Sequence, residues 1–317
     1  MYCLGQTLTP ATKTKPLDAT HGLVPQVAAG RWLIGLLLIG AIFTVGAATD
    51  PALILRAKYA SLSEDLRQNQ FQQALVLVST ETPNSLQGDI YAVIDFPFDR
   101  VSVGLSNPDH WCDVMLLHIN TKYCHAATEA AGITLNVNIG RKTPEVLSAT
   151  SLLVFTYNLA TTTPEYVEIV LNAQNGPFGT SDYRIRLELL ALPAGKTFLH
   201  LSYSYNMNFA GRLAMKSYLE TIGSDKAGFT VIGTRDDGQA ILVGGVRGMI
   251  ERNTMRYYLA IDSYLGALDV ALDAQFEHRL QSWFAATERY PRQLNEMERA
   301  DYLAMKRAEQ LRQQAVR

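Results

Sequence analysis

Six residues able to bind metal or to do thiol and acid–base chemistry crowd into sixteen positions: His110, Cys112, Asp113, His118, Cys124 and His125. Two chemistries suit such a cluster, a metal site and a disulfide. Cysteine-based zinc sites use short paired Cys intervals, whereas eleven residues separate Cys112 from Cys124. No metal is therefore expected, and the two cysteines are expected to pair as a disulfide if the chain matures in an oxidising compartment. Such a bond stabilises by about 3 kcal/mol. His118 and His200 are the histidines nearest apolar elements, hence the candidates for a general acid or base. His200 alternates with Leu199, Leu201, Tyr203 and Tyr205, which turns it to the opposite face of a strand. His118 ends a short helix, where a hydrogen bond to backbone is the expected use.

Other catalytic signatures are missing from the sequence. There is no Gly-x-Ser-x-Gly elbow, no phosphate loop, no Gly-x-Gly-x-x-Gly and no His-Glu-x-x-His, so no catalytic residue and no cofactor is assigned. Tyr203, Tyr205, Tyr257, Tyr258 and Tyr264 offer something different, apolar area with one polar tip, which suits the wall of a cavity that orients a hydrophobic guest. Plain core packing is the alternative for each. Arg252 and Arg256, one helical turn apart, could hold an anionic headgroup. Local ion pairing is the expected reading, as for Arg247 and Glu251.

The whole chain sets limits on these chemistries. Its 317 residues, 48% hydrophobic and 18% charged, suffice for one sizeable core or two small ones. With 28 basic against 30 acidic residues, nothing calls for a nucleic-acid partner. An uncharged apolar run from Trp32 to Ala48 follows Arg31, and Val45-Gly46-Ala47 supplies a small-residue cleavage pattern. Export with cleavage near Ala47 is expected, giving a periplasmic or secreted protein, with an uncleaved anchor as the alternative. Cys3 lies upstream of that signal, and removal of Lys13, Lys15, Asp18 and Arg31 leaves a mildly acidic mature chain.

The elements that must position the candidates follow from periodicity. Leu55, Tyr59, Leu62 and Leu66 fall at helical spacing within 48–73. Residues 74–80 and 89–95 read as a β-hairpin, and short helices follow, broken at Asn107-Pro108. Alternating runs at 133–139, 152–157, 166–171, 183–189 and 199–205 read as an antiparallel meander with one wet face. After a helix near 208–221 and a hairpin across Asp236-Asp237-Gly238, a long helix begins near Gly248. Ile250, Tyr257, Ile261, Tyr264, Leu265 and Leu268 share its broad apolar face, the natural cover for the sheet. A second strip, Met255, Leu259 and Val270, needs another partner, for which the N-terminal helix is the candidate. In the tail 273–317, the stripe Phe276, Leu280, Trp283, Thr287 and Tyr290 is expected to pack back on the domain, a membrane-surface contact being the alternative. Residues 292–317 read as a solvated end.

This order of elements, with the Asp95-Phe-Pro-Phe-Asp-Arg-Val and Leu105-Ser-Asn-Pro-Asp-His-Trp111 stretches, resembles the START-like or SRPBCC superfamily over about Gly88 to Leu268. The resemblance implies an α+β helix-grip fold, a curved antiparallel sheet wrapped around a long C-terminal helix, with an apolar cavity between them. A START-like domain over 74–272 is then flanked by the leader 1–47, the helix of 48–73 and the tail of 273–317. The implied function is to hold or carry a hydrophobic small molecule or lipid. Its expected contacts are Trp111, His118, Tyr203, Tyr205, Tyr257, Tyr258, Ile261 and Tyr264. A cyclase- or hydrolase-type enzyme on the same scaffold, and an interaction module with a filled core, are the alternatives.

Overall fold

The computed structural model describes residues 50–213, 215 and 226–316. The expected leader, with its apolar run and the cleavage position near Ala47, lies outside the described residues, as does Cys3. Among the described residues no helix is long and apolar enough to cross a membrane.

Eight strands form one antiparallel sheet: β1 (Leu75–Glu81), β2 (Ser85–Ile94), β3 (Thr121–Glu129), β4 (Gly132–Ile139), β5 (Ser151–Thr162), β6 (Tyr166–Asn175), β7 (Thr180–Leu192) and β8 (Lys196–Met207). Their order is β1-β2-β8-β7-β6-β5-β4-β3. The meander from β3 to β8 thus returns beside β2, and β1 and β3 are the edges. Alternation fixes the faces. Leu199, Leu201, Tyr203, Tyr205 and Met207 of β8 join the main core with Tyr183, Ile185, Leu187 and Leu189 of β7, while Phe198 of β8 belongs to a second cluster on the other side. Register shifts between Leu159 and Thr161 and between Ser181 and Arg184 mark local bulges, the irregularities that bend a sheet.

Between β2 and β3 lie α3 (Phe98–Leu105) and α4 (Pro108–Leu117). Asn107 caps α4 by accepting from Asp109 N–H at 3.0 Å, and Pro108 occupies the first turn, where its missing N–H costs nothing. Cys112 of α4 and Cys124 of β3 are joined by the expected disulfide, both fully buried. It ties the short helices to the sheet edge.

The long helix, α5 (Gly245–Gly266), lies across the inner face of the sheet, so the architecture is the α+β helix-grip fold expected. A hairpin of β9 (Val231–Thr234) and β10 (Ala240–Leu242) precedes it. Glu251 of α5 is buried and accepts from Ser79 Oγ at 2.5 Å, from Thr230 Oγ1 at 2.6 Å and from the Phe229 and Thr230 amides. Arg247 reaches the same point through Ser79 Oγ, at 2.8 Å, so it meets Glu251 by way of β1 and not directly.

Two expectations about partners change. The N-terminal helices α1 (Pro51–Ser61) and α2 (Ser63–Arg67) pack on the outer face of the sheet, where Leu55, Leu62 and Leu66 meet Tyr166, Leu190 and Phe198. The second face of α5 is covered instead by α6 (Leu272–Glu288), whose Trp283 Nε1 donates to Arg256 O at 3.2 Å. The stripe of α6 does pack back, with Leu280, Trp283 and Thr287 buried. After the single turn α7 (Pro291–Leu294), the supposed solvated end is α8 (Arg299–Val316), docked along edge strand β3. Its long polar side chains satisfy the strand's free backbone: Lys306 Nζ donates to Thr121 O at 2.8 Å, and Cys124 N–H donates to Gln313 Oε1 at 3.1 Å. Capping an edge in this way keeps it from pairing with another chain. The described residues belong to one compact unit.

Candidate ligand cavity

The inner face of the sheet and α5 do not close completely on one another. A cavity of about 170 Å3 remains between them. From the sheet it is walled by Ile139 of β4, Leu153 and Phe155 of β5, Tyr183 of β7, and Tyr203, Tyr205 and Met207 of β8. Strand alternation explains why Leu153 and Phe155, and Tyr203, Tyr205 and Met207, point inward together, since each stands two residues from the next. From α5 come Met249, Asn253 and Tyr257, one turn apart, the spacing that aligns side chains along one helix face. His118 and Asn120, in the link from α4 to β3, close one side, and Pro177, Phe178 and Met215 bound the mouth. Phe178 is strongly exposed and takes φ of +57°, an uncommon backbone for an aromatic residue. Larger hollows of about 830 and 890 Å3 lie at the β1–β2 hairpin and on the outer face of the sheet, but they are open surface grooves.

Aromatic contacts order the wall. Tyr183 stacks on Tyr205 at 5.0 Å, Tyr203 meets Tyr257 edge-on at 5.1 Å, and the His118 ring lies on Tyr257 at 4.7 Å. Burial holds the phenols of Tyr203 and Tyr257 above their usual value, so both stay neutral donors at physiological pH. His118 is held well below the usual imidazole range, first by burial and then by the positive charges of Arg256, Lys306, Lys142 and Lys122. The Asn120 amide donates to its Nδ1 at 3.2 Å, which leaves the ring proton of the neutral imidazole on Nε2. That Nε2 is buried and has no hydrogen-bond partner. The four cations are themselves paired, Arg256 and Lys142 with Glu296, Lys122 and Lys306 with Glu309.

Four of the eight expected contacts meet at this cavity: His118, Tyr203, Tyr205 and Tyr257. The other four lie elsewhere. Trp111 is buried in α4 and donates from Nε1 to Leu105 O at 2.8 Å, a contact that joins α3 to α4. Tyr264 sits under the Arg279 guanidinium, 4.5 Å from its ring centre, at the contact with α6. Tyr258 and Ile261 are core residues on other faces of α5. Among the wall residues that sequence reasoning passed over are Leu153, Phe155, Tyr183, Met207, Met215 and Met249. Tyr183 shares the inward alternation of β7 and could have been found by it.

His200 faces away from the cavity, as its alternation requires. Its Nδ1 meets Glu188 Oε2 at 2.7 Å and its Nε2 meets Asp89 Oδ1 at 3.0 Å, while its ring stacks on Tyr91 at 4.2 Å. Burial alone would lower its pKa, but the bonds to Asp89 and Glu188 prevail and raise it. A carboxylate at each nitrogen favours its charged form, in an ion network on the outer face of the sheet. Arg256 is likewise an ion-pair residue, 2.7 Å from Glu296. Among the described residues no His, Cys, Asp and Glu cluster could hold a metal.

A curved antiparallel sheet gripping one long helix over a small cavity is the helix-grip fold. No family model and no curated protein matches the sequence. Solved structures do resemble it. The ZhuI aromatase/cyclase from Streptomyces sp. R1128 is 11% identical, covering 65% of this chain and 94% of its own with a TM-score of 0.31. A START superfamily protein from Mycobacterium smegmatis is 12% identical, covering 44% and 90% with a TM-score of 0.30. Human StAR-related lipid transfer protein 5 is 8% identical, covering 50% and 83% with a TM-score of 0.29. At such scores the fold assignment rests on the strand order and the gripped helix themselves.

Proposed function

We propose that the protein binds a hydrophobic small molecule in the cavity between β4, β5, β7, β8 and α5. One observation carries the reading: a hollow remains between the sheet and α5, and its wall is aromatic and aliphatic with a few neutral polar groups. Burial of apolar area, at about 25 cal/mol per Å2, supplies the affinity. The volume limits the guest, since an engineered cavity of about 150 Å3 takes benzene. A compact molecule fits this space, and a diacyl lipid does not fit it in this conformation. The Cys112–Cys124 disulfide supports residence in an oxidising compartment, in line with export through the N-terminal apolar run.

Native mass spectrometry of the full chain isolated from its own cells, followed by organic extraction, tests the reading. A compact hydrophobic molecule bound one to one is expected. Repeated recovery of empty protein, together with failure to bind any added apolar compound, would overturn it.

A second reading, an enzyme on the same scaffold, is favoured by the neutral, unpartnered imidazole of His118 at the cavity wall. It requires His118→Gln to abolish turnover of a carbonyl substrate while the fold survives.

A further inference from the structure

We propose that the guest of this cavity is an uncharged molecule of one or two rings bearing a carbonyl oxygen. The proposal rests on the reading of the hollow as a ligand site and narrows it by size, charge, wall chemistry and hydrogen-bonding capacity. The volume of about 170 Å3 sets the first limit, one or two rings and not a long acyl chain. The second limit is charge. Among the described residues lining the cavity there is no Asp, Glu, Lys or Arg. A buried carboxylate or ammonium guest would lose its hydration with no counter-ion to replace it. The cations whose charge reaches His118, Arg256, Lys142, Lys122 and Lys306, are already held by Glu296 and Glu309, and Arg212, whose charge reaches Tyr205, is held by Glu81. They are set against a cationic guest without being available to an anionic one.

The walls supply the third limit. Tyr183 and Tyr205 stacked on one side, Tyr203 and Tyr257 on another, and Met207, Met215 and Met249 between them present ring faces and thioethers. Flat aromatic surfaces pack well against both.

Hydrogen bonding sets the fourth. The hydroxyls of Tyr203, Tyr205 and Tyr257 make no hydrogen bond to a described residue, and none is sealed from space that water could enter. Asn253 gives up its Oδ1 to Arg256 Nη1 at 3.2 Å, leaving its amide nitrogen to donate. The tyrosine hydroxyls can donate as well as accept, and the Asn253 amide nitrogen only donates. A guest that expels water must give them an acceptor or leave them unsatisfied, and a ketone or quinone oxygen is an acceptor only.

Calorimetric titration of the full chain at pH 7.5 with four probes tests this: 1-tetralone, tetralin, 1-naphthoate and palmitate. 1-Tetralone is expected to bind at least fivefold more tightly than tetralin, its hydrocarbon counterpart. It is also expected to bind at least tenfold more tightly than 1-naphthoate, and palmitate should not displace it. Tyr203→Phe and Tyr257→Phe should each weaken 1-tetralone binding about threefold to tenfold and leave tetralin binding unchanged. Tetralin binding as tightly as 1-tetralone, or tighter binding of naphthoate or palmitate, would overturn this proposal while leaving the cavity as a ligand site. Failure of all four probes to bind would remove both.

Discussion

The imidazole of His118 lies on the ring of Tyr257, centroids 4.7 Å apart and planes inclined by 26°. The pair joins the end of α4 to the middle of α5 at the side of the cavity, and it places a titratable ring where a proton is unwelcome. Burial, with four surrounding cations, holds His118 well below its usual value. The unfolded chain takes up this proton near pH 6.5 and the folded protein does not, so stability is full above that pH and falls as acid is added. Unfolding free energies from urea titrations between pH 7.5 and 5 should drop more steeply in the native protein than in His118→Gln, by about 1 kcal/mol per pH unit. Parallel curves would contradict the placement.

Gly88 of β2 lies under Thr254 of α5 so closely that a β-carbon built on the glycine would overlap Thr254 Oγ1. Only glycine lets strand and helix approach this far. Gly88→Ala should therefore destabilise by about 1–3 kcal/mol in chemical denaturation, as overpacked cores do. Adding Thr254→Gly should recover part of the loss, and an unchanged midpoint in Gly88→Ala would refute the close approach.

Glu309 stands between two buried lysines, 3.1 Å from Lys122 Nζ and 2.8 Å from Lys306 Nζ. Burial outweighs the pull of Glu309 on Lys306 and, with the charge of Lys122, pushes it down to about 8. Glu309→Gln leaves both ammonium groups without an anion and should cost about 3 kcal/mol or more at pH 7. Because these lysines bind protons more weakly folded than unfolded, raising the pH favours the folded state. The penalty should be smaller at pH 9.5 than at pH 7. Equal penalties would show that the lysines titrate freely.

The disulfide holds α4 to β3 beneath the cavity wall. Replacing Cys112 and Cys124 together by alanine should cost about 3 kcal/mol of stability. A mass gain of two hydrogens on reduction of the denatured protein checks that the bond forms, and two free thiols in protein prepared under oxidising conditions would refute it.

Much of the framework was legible in the sequence because strand alternation is unambiguous when one face is wet. Tyr203 and Tyr205 were placed inward and His200 outward on that ground, and the sheet puts them there. The long helix resisted the same reading. Tyr257, Tyr258, Ile261 and Tyr264 are all buried, since α5 is covered by the sheet on one side and by α6 on another. Hydrophobic periodicity then cannot say which face meets a cavity. Only Tyr257 does. Trp111 does not line this cavity, and a large buried aromatic serves packing as readily as binding. The C-terminal helix was misjudged because Lys306, Glu309 and Gln313 dock it through hydrogen bonds to strand backbone and a buried lysine. Such contacts carry no apolar signature. The methionines of the cavity wall gave no signal either, being isolated in the chain at 207, 215 and 249.

The account stands on a hollow between the sheet and α5 that an apolar guest can enter. Diffraction from crystals of the full chain pressurised with xenon tests it most directly, since xenon settles in small cavities walled by apolar side chains. A xenon peak among Tyr203, Met249 and Tyr257 is the predicted result. Crystals that take up xenon elsewhere, or nowhere, with side chains filling that space, would contradict the account.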